Sequence, residues 1–408
     1  MPKLPRDIIA DILSRVPIKC LMQFKCVCKD WYALVSDPQF AKMQLKQARA
    51  DITTNVHRLF LTTCPLQTID YEAFGDGDSS NLSRQLAYPT RSNPVYDAEI
   101  LGSCNGLVFL EFDYDNLFLL NPTTRDSREL PQPDTTSTEK DSIFYGLGYD
   151  VYVDDYKVIR GVISAASNGP SSRDAKVEVL ELKTNTWRRI QYPHSSINID
   201  GRGILLNGTL HWLGTRKSDS GNNYACVIIS FDITEERFEE FVPLKDYIDQ
   251  NITGLDLKIS GDKLVLFFDR EEKYFEAWEM KEYGVKESWT RLFSVSSETF
   301  PLHEYSLTAV GFRKDGKLLL DFDGRELAVL NTEEETLRKF IIHDDWDWFK
   351  AGIYEESLVS PNVIVDYEAL WLNQSEDANG KGENSTEEVR ETNYHNCSRP
   401  GHMQYNLA

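Results

Sequence analysis

The feature that most limits what this chain can fold into is a repeat. Four segments, LNPTTRDSREL, ELKTNTWRRI, FDITEERFEEF and LNTEEETLRKF, share an apolar strand end, a polar turn and a return to aromatic or aliphatic residues. Anchored at the strand end they give Asn121, Glu181, Asp232 and Asn331, and Tyr283 before Trp289 falls in the same register. The intervals are 60, 51, 51 and 48 residues, close to the period of about 50 residues known for propeller blades. A lone blade cannot bury both faces of its sheet, so copies at this spacing predict radial closure into a β-propeller.

The segments around the anchors agree. From His57 onward the chain reads as short alternating or apolar strands, among them HRLFLTT, NGLVFLE, NLFLLN, KVEVLEL, GTLHWLG, CVIISFD, KLVLFFD and KLLLDFD. They meet at turn-forming pairs such as Asn207-Gly208, Gly261-Asp262 and Asp315-Gly316. The five anchors mark five blades. Strands at 57–74 and a last one near Ile353–Val359 predict a sixth, completed by joining the two chain ends. The expected body is an all-β propeller over 57–372 with about six blades, five to seven being compatible with the spacing.

The first 48 residues read differently, as a small all-α module. Pro5 suits a first helical turn and Asp7 complements that end of the dipole. Ile8, Ile9, Ile12, Leu13 and Val16 recur at helical spacing until Pro17 stops the helix. A second periodic run is Leu21, Phe24, Val27, Cys28, Trp31, Leu34 and Val35. Asp37-Pro38 ends it, and Phe40 and Met43 continue a shorter helix. So small a unit buries too little surface to stand alone, and apolar stripes on several sides imply a partner surface. Cys20, Cys26 and Cys28 lack a second Cys/His cluster of zinc-ligand spacing, and are expected to pack, with Cys28 on the Leu21/Phe24/Trp31 face. Residues 49–56 are read as a linker.

Charge separates the two parts. The chain carries −21 in total. Residues 1–50 hold nine Lys/Arg against four Asp, or +5, which leaves −26 for the rest. An acidic chain lacks the basic footprint that nucleic acid requires, so nucleic acid is not an expected partner. With no run of 18 apolar residues, no membrane span is expected. The opening residues do not read as a secretory signal, and scattered cysteines fit reduced thiols, so a cytoplasmic or nuclear setting is expected.

The run LPRDIIADILSRVPIKCLMQFKCVCKDWYALVSDPQF, Leu4 to about Phe40, resembles an F-box. Leu-Pro, a paired-aliphatic helix, Val-Pro, Leu-x-x-Phe, Val-Cys-Lys-x-Trp and Asp-Pro-x-Phe occur in order. The segments LGSCNGLVFLEFDYDNLFLLNPTTRDSRELP, YGLGYDVYVDDYKVIR, VEVLELKTNTWRRI and LNGTLHWLG resemble the F-box-associated domain of plant F-box proteins, the group that includes the S-locus F-box proteins of pollen. This second likeness covers roughly Ile100 to Val359. Together they imply a substrate-recognition subunit of an SCF (Skp-cullin-F-box) ubiquitin ligase. The head would dock on a Skp-type adaptor, and through it a cullin, while the propeller holds a protein target. By the resemblance, Leu4, Pro5, Ile8, Ile9, Leu13, Val16, Pro17, Leu21, Phe24, Cys28 and Trp31 are the adaptor-binding positions. The pollen relatives imply a basic ribonuclease target in self-incompatibility, and the charge of the body also favours a basic protein. The rival is a propeller enzyme or glycan-binding protein tethered to the adaptor.

Few residues invite catalysis. The stretch Asp344, Asp345, Trp346, Asp347, Trp348 offers aromatic anchors with acidic neighbours, a candidate substrate-binding loop; the plain alternative is a solvated loop with one tryptophan packed inward. His211 and Trp212 read as a blade interior, Asp154-Asp155 as a hairpin turn, and Gly201-Arg202-Gly203 lacks the strand-then-helix context of a dinucleotide site. Cys397 and His402 echo half of a zinc knuckle without its outer cysteines. No nucleophile–base set can be assembled, so a non-catalytic receptor with no cofactor and no metal is expected. Residues 373–408 read as a disordered polar tail.

Overall fold

The computed structural model describes residues 4–51, 56–72, 83–89, 98–113, 116–138, 140–165, 173–193, 196–217, 224–243, 252–271, 273–296, 307–342 and 348–362. Four helices come first: α1 (Arg6–Ser14), α2 (Ile18–Phe24), α3 (Lys29–Val35) and α4 (Pro38–Ala50). Pro5 and Pro17 precede α1 and α2 in the extended conformation that a helix start requires. Asp37 caps α4, its Oδ1 accepting the Gln39 N–H at 2.8 Å with Pro38 in the first turn. Two expectations are corrected here. The run Leu21–Val35 is not one helix, because a turn at 25–28 divides it and leaves Cys28 extended and exposed ahead of α3. Cys28 therefore does not pack as a small hydrophobe. Helix α4 also continues through Ala50, into the stretch read as a linker.

Six sheets follow, and they are six propeller blades. In the first, the strand Ala351–Glu355 lies innermost and pairs antiparallel with His57–Leu61, so that Leu59 faces Ile353 and Leu61 faces Ala351. The two ends of the body thus share one sheet, as the sixth blade required. The repeat anchors sit where the third strand ends in blades two to six. Asn121, Asp232 and Asn331 each turn the chain with Oδ1, which accepts the N–H groups two and three residues on. Four residues after the anchor the backbone enters the left-handed region, at Arg125, Asn185, Glu236 and Glu335 (φ 66°, 56°, 52° and 50°).

Blade four departs from the pattern. Its inner edge is broken into Ile197–Ile199 and Ile204–Leu206, both paired with Thr209–Lys217. Between them Gly201–Arg202 crosses to pair in parallel with Ser142–Asp150 of blade three. Glycine is needed on both sides of the crossing: Gly201 has φ 78°, and a Cβ on Gly203 would lie 2.5 Å from the Trp212 indole.

The helical head is seated on the propeller. Leu13, Leu21, Leu34 and Phe40 share one apolar core with Leu107, Phe109 and Leu119 of blade two and with Leu358 and Val359, which follow the closing strand. Part of the surface that the stripes must cover is therefore supplied by the protein itself. The fully buried Asn121 side chain fixes that last segment, its Nδ2 donating to the carbonyls of Ser357 (3.0 Å) and Val359 (2.6 Å). At the edges of the seat Lys42 pairs with Asp154, and Arg49 pairs with Glu355 and donates to Asn105 Oδ1 at 2.9 Å. These partners lie at turns after inner strands, so the head occupies the face on which the inner strands end.

Candidate functional site

The head leaves one apolar face uncovered. Leu4, Ile8 and Ile12 are 58%, 44% and 51% exposed, and Val27, Tyr32 and Met43 are exposed as well. Ile8 and Ile12 stand one helical turn apart on α1, so they form a stripe rather than scattered side chains. Of the positions expected to meet the adaptor, Leu4, Pro5, Ile8, Pro17 and Cys28 are exposed. Ile9, Val16, Phe24 and Trp31 are half-buried, with the Phe24 and Trp31 rings 5.2 Å apart. Leu13 and Leu21 are buried in the seat. Ile12, Val27, Tyr32 and Met43 were not among the expected positions; the i, i+4 spacing of Ile8 and Ile12 was the available signal.

On the opposite face the structure describes one member of the tryptophan loop. Trp348 is 54% exposed, and the Arg325 guanidinium lies 4.4 Å above its ring. Arg325 belongs to the turn between the second and third strands of blade six, which emerges at the end opposite the head. The Phe349 N–H donates to the Gly324 carbonyl at 2.8 Å, tying the loop end to that turn. Asp344, Asp345, Trp346 and Asp347 lie outside the described residues, as do Cys397 and His402.

The remaining candidates are structural. His211 is fully buried between the Phe241 and Tyr283 rings, with Nε2 2.8 Å from the Tyr283 hydroxyl, and burial pushes its pKa down to about 4. Trp212 donates Nε1–H to the Tyr145 carbonyl at 2.8 Å. Asp154 forms the left-handed position of the expected hairpin turn (φ 57°), and Gly201–Arg202 is a strand fragment. Among the described residues no three His, Cys, Asp or Glu side chains gather as a metal site, and no helix is long and apolar enough to cross a membrane.

A helical module with an uncovered apolar stripe, seated on a closed propeller whose far face carries an exposed aromatic, defines a two-surface protein-binding architecture. The comparisons place it. Residues 1–43 match the F-box domain and residues 57–367 the F-box associated beta propeller domain, and the chain belongs to that family of F-box proteins. It is 30% identical to F-box protein CPR1 of Arabidopsis thaliana over 381 residues, covering 88% of this chain and 89% of that one. It is also 27% identical to an F-box/kelch-repeat protein of the same plant over 380 residues, covering 88% and 96%. Among solved structures, an oligogalacturonate lyase from Vibrio parahaemolyticus matches with TM-score 0.40 and 12% identity, over 69% of this chain and 73% of that one.

Proposed function

We propose that this chain is the substrate-recognition subunit of an SCF ubiquitin ligase and performs no bond chemistry itself. The head binds a Skp-type adaptor, and the propeller holds a protein target so that its lysines meet ubiquitin carried by a separate enzyme. The gain is one of proximity, a raised effective concentration. The observation that carries this reading is the pairing of an F-box with an F-box-associated propeller, the F-box stripe lying uncovered at Leu4, Ile8 and Ile12. Leu13 and Leu21 support the surface from beneath, while Ile9, Val16, Phe24 and Trp31 border it. The target surface is the face carrying Trp348, and the acidic body favours a basic protein there, such as the basic ribonuclease that the pollen resemblance implies. The setting is the cytosol or nucleus.

The test is co-purification of the adaptor with Ile8→Asp and Ile12→Asp variants. Because both side chains are exposed, the melting temperature should hold while adaptor binding is lost, a carboxylate now facing an apolar interface. Leu13→Asp, by contrast, should unseat the head. Full adaptor binding by Ile8→Asp and Ile12→Asp together would overturn the ligase reading.

A further inference from the structure

The inner strands enclose a cavity of about 600 Å³ on the propeller axis, open toward the head. That volume lies within the usual range for small-molecule sites, about 300–1,000 Å³. Its lining reverses the charge of the protein. Among the described residues, its Lys, Arg, Asp and Glu side chains are Arg49, Arg202, Lys258 and Glu355, three cations and one carboxylate in a chain of net −21. Arg49 and Glu355 satisfy each other. Lys258 is 9% exposed and pairs with Asp256 at 2.9 Å. Arg202 differs: its guanidinium reaches only the Ile100 carbonyl, at 3.5 Å, and forms no ion pair among the described residues. Burial lowers the Lys258 pKa, the charges of Asp256 and of the buried Asp321 raise it, and the charge of Arg202, which also acts on Asp321, lowers it, so the two cations and the Asp321 carboxylate act on one another.

This placement is built into the backbone. Arg202 reaches the axis because Gly201–Arg202 leaves blade four to pair with blade three, a crossing that needs Gly201 in the left-handed region and Gly203 against Trp212. A guanidinium that forms no ion pair among the described residues and meets the charge of Asp321 only at a distance, beside a nearly buried ammonium in a half-enclosed cavity, leaves hydrogen-bonding capacity that an anion would fill. The guanidinium fork matches the oxygens of a carboxylate or phosphate in pairs, and the ammonium adds a point charge.

We propose that this axial cavity binds a small organic anion, a phosphate ester or polycarboxylate, held by Arg202 and Lys258. The site is independent of adaptor binding. It is tested on the full chain by calorimetric titration and thermal shift with pyrophosphate and with citrate at constant ionic strength. At least one should bind saturably and raise the melting temperature; which of them does so assigns phosphate or carboxylate. Arg202→Gln and Lys258→Met should each weaken binding by about tenfold or more, as expected for loss of a charge-assisted contact. Arg202→Lys should restore part of it, and Arg237→Gln, on the exposed outer strand of blade four, should change nothing. Should Lys258→Met fail to fold, Arg202→Gln, whose side chain is half-exposed, carries the test alone. Absence of saturable binding by both anions, or undiminished binding by Arg202→Gln, would overturn the proposal.

Discussion

Replacing Asn121 with alanine should loosen the head without touching any residue of the head. Asn121 does two jobs. Its Oδ1 accepts the N–H groups of Thr123 and Thr124, which lie in a half-exposed turn where water can replace it. Its Nδ2 donates to the carbonyls of Ser357 and Val359, which are 0% and 8% exposed, where water cannot. Stranding a buried polar group costs about 1–3 kcal/mol, so the two carbonyls predict a loss of about 3 kcal/mol. At about 2–3 °C per kcal/mol for a domain of this size, the melting temperature should fall by roughly 5–10 °C. Hydrogen exchange should accelerate first at 356–362, and then in α2 and α3, whose Leu21 and Leu34 share a core with Leu358 and Val359. The control is Asn331→Ala, at the equivalent turn of blade six, where among the described residues Oδ1 accepts the N–H groups of Glu333 and Glu334. That change should cost under about 1 kcal/mol. If Asn121→Ala and Asn331→Ala melt alike, the buried contacts with the last segment contribute nothing and the account of how the head is seated is wrong.

Three further outcomes are expected. Lys157→Met should destabilise by about 3–5 kcal/mol in chemical denaturation, because it leaves Asp150, 2% exposed and bonded to Lys157 Nζ at 2.8 Å, as a buried uncompensated charge. Asp321 is raised to about 6 chiefly by burial. Its folded pKa lies above its unfolded one, so its contribution to stability is complete below about pH 4 and is lost as pH rises through about 6. Asp321→Asn keeps an acceptor for the Gly324 N–H and should flatten the decline in melting temperature between those values; an unchanged decline would reassign it to another group. Trp348→Ala should leave the melting temperature unchanged, since the ring is 54% exposed, yet reduce the ubiquitinated partners recovered from proteasome-inhibited cells, and equal recovery would remove Trp348 from the target surface.

The sequence made the propeller legible because its repeat is a turn chemistry. The anchors Asn121, Asp232 and Asn331 recur because the same side-chain bond to the same backbone N–H groups closes the third strand of each blade. Closure of the first blade followed from two leftover strands at opposite ends of the chain. What escaped reading was non-local. Nothing in the spacing of Leu13 and Leu21 distinguishes an apolar face that meets a partner from one that meets Leu358 and Val359, more than 300 residues away. The break at 25–28 was hidden because Leu21, Phe24, Val27, Cys28 and Trp31 keep helical spacing across a turn. The crossing of Gly201–Arg202 was equally silent: a glycine-flanked arginine signals freedom of the backbone, and only the third dimension shows that the freedom turns a cation toward the axis.

The order in which the chain is made gives the shared first blade a further meaning. The head is synthesised before the propeller, but its seat is completed by Leu358 and Val359, and the first blade by Ala351–Glu355, close to the end of the described residues. A product of premature termination would therefore carry the exposed α1 stripe and a propeller missing an inner strand, with Leu13, Leu21 and Phe40 left without their full cover. Those side chains are the kind of surface that chaperones and proteases recognise. Joining strands from the start and the end of the propeller in one blade thus ties the cover of Leu13, Leu21 and Phe40 to completion of the propeller, since the segment that closes the blade also leads into the residues that seat the head.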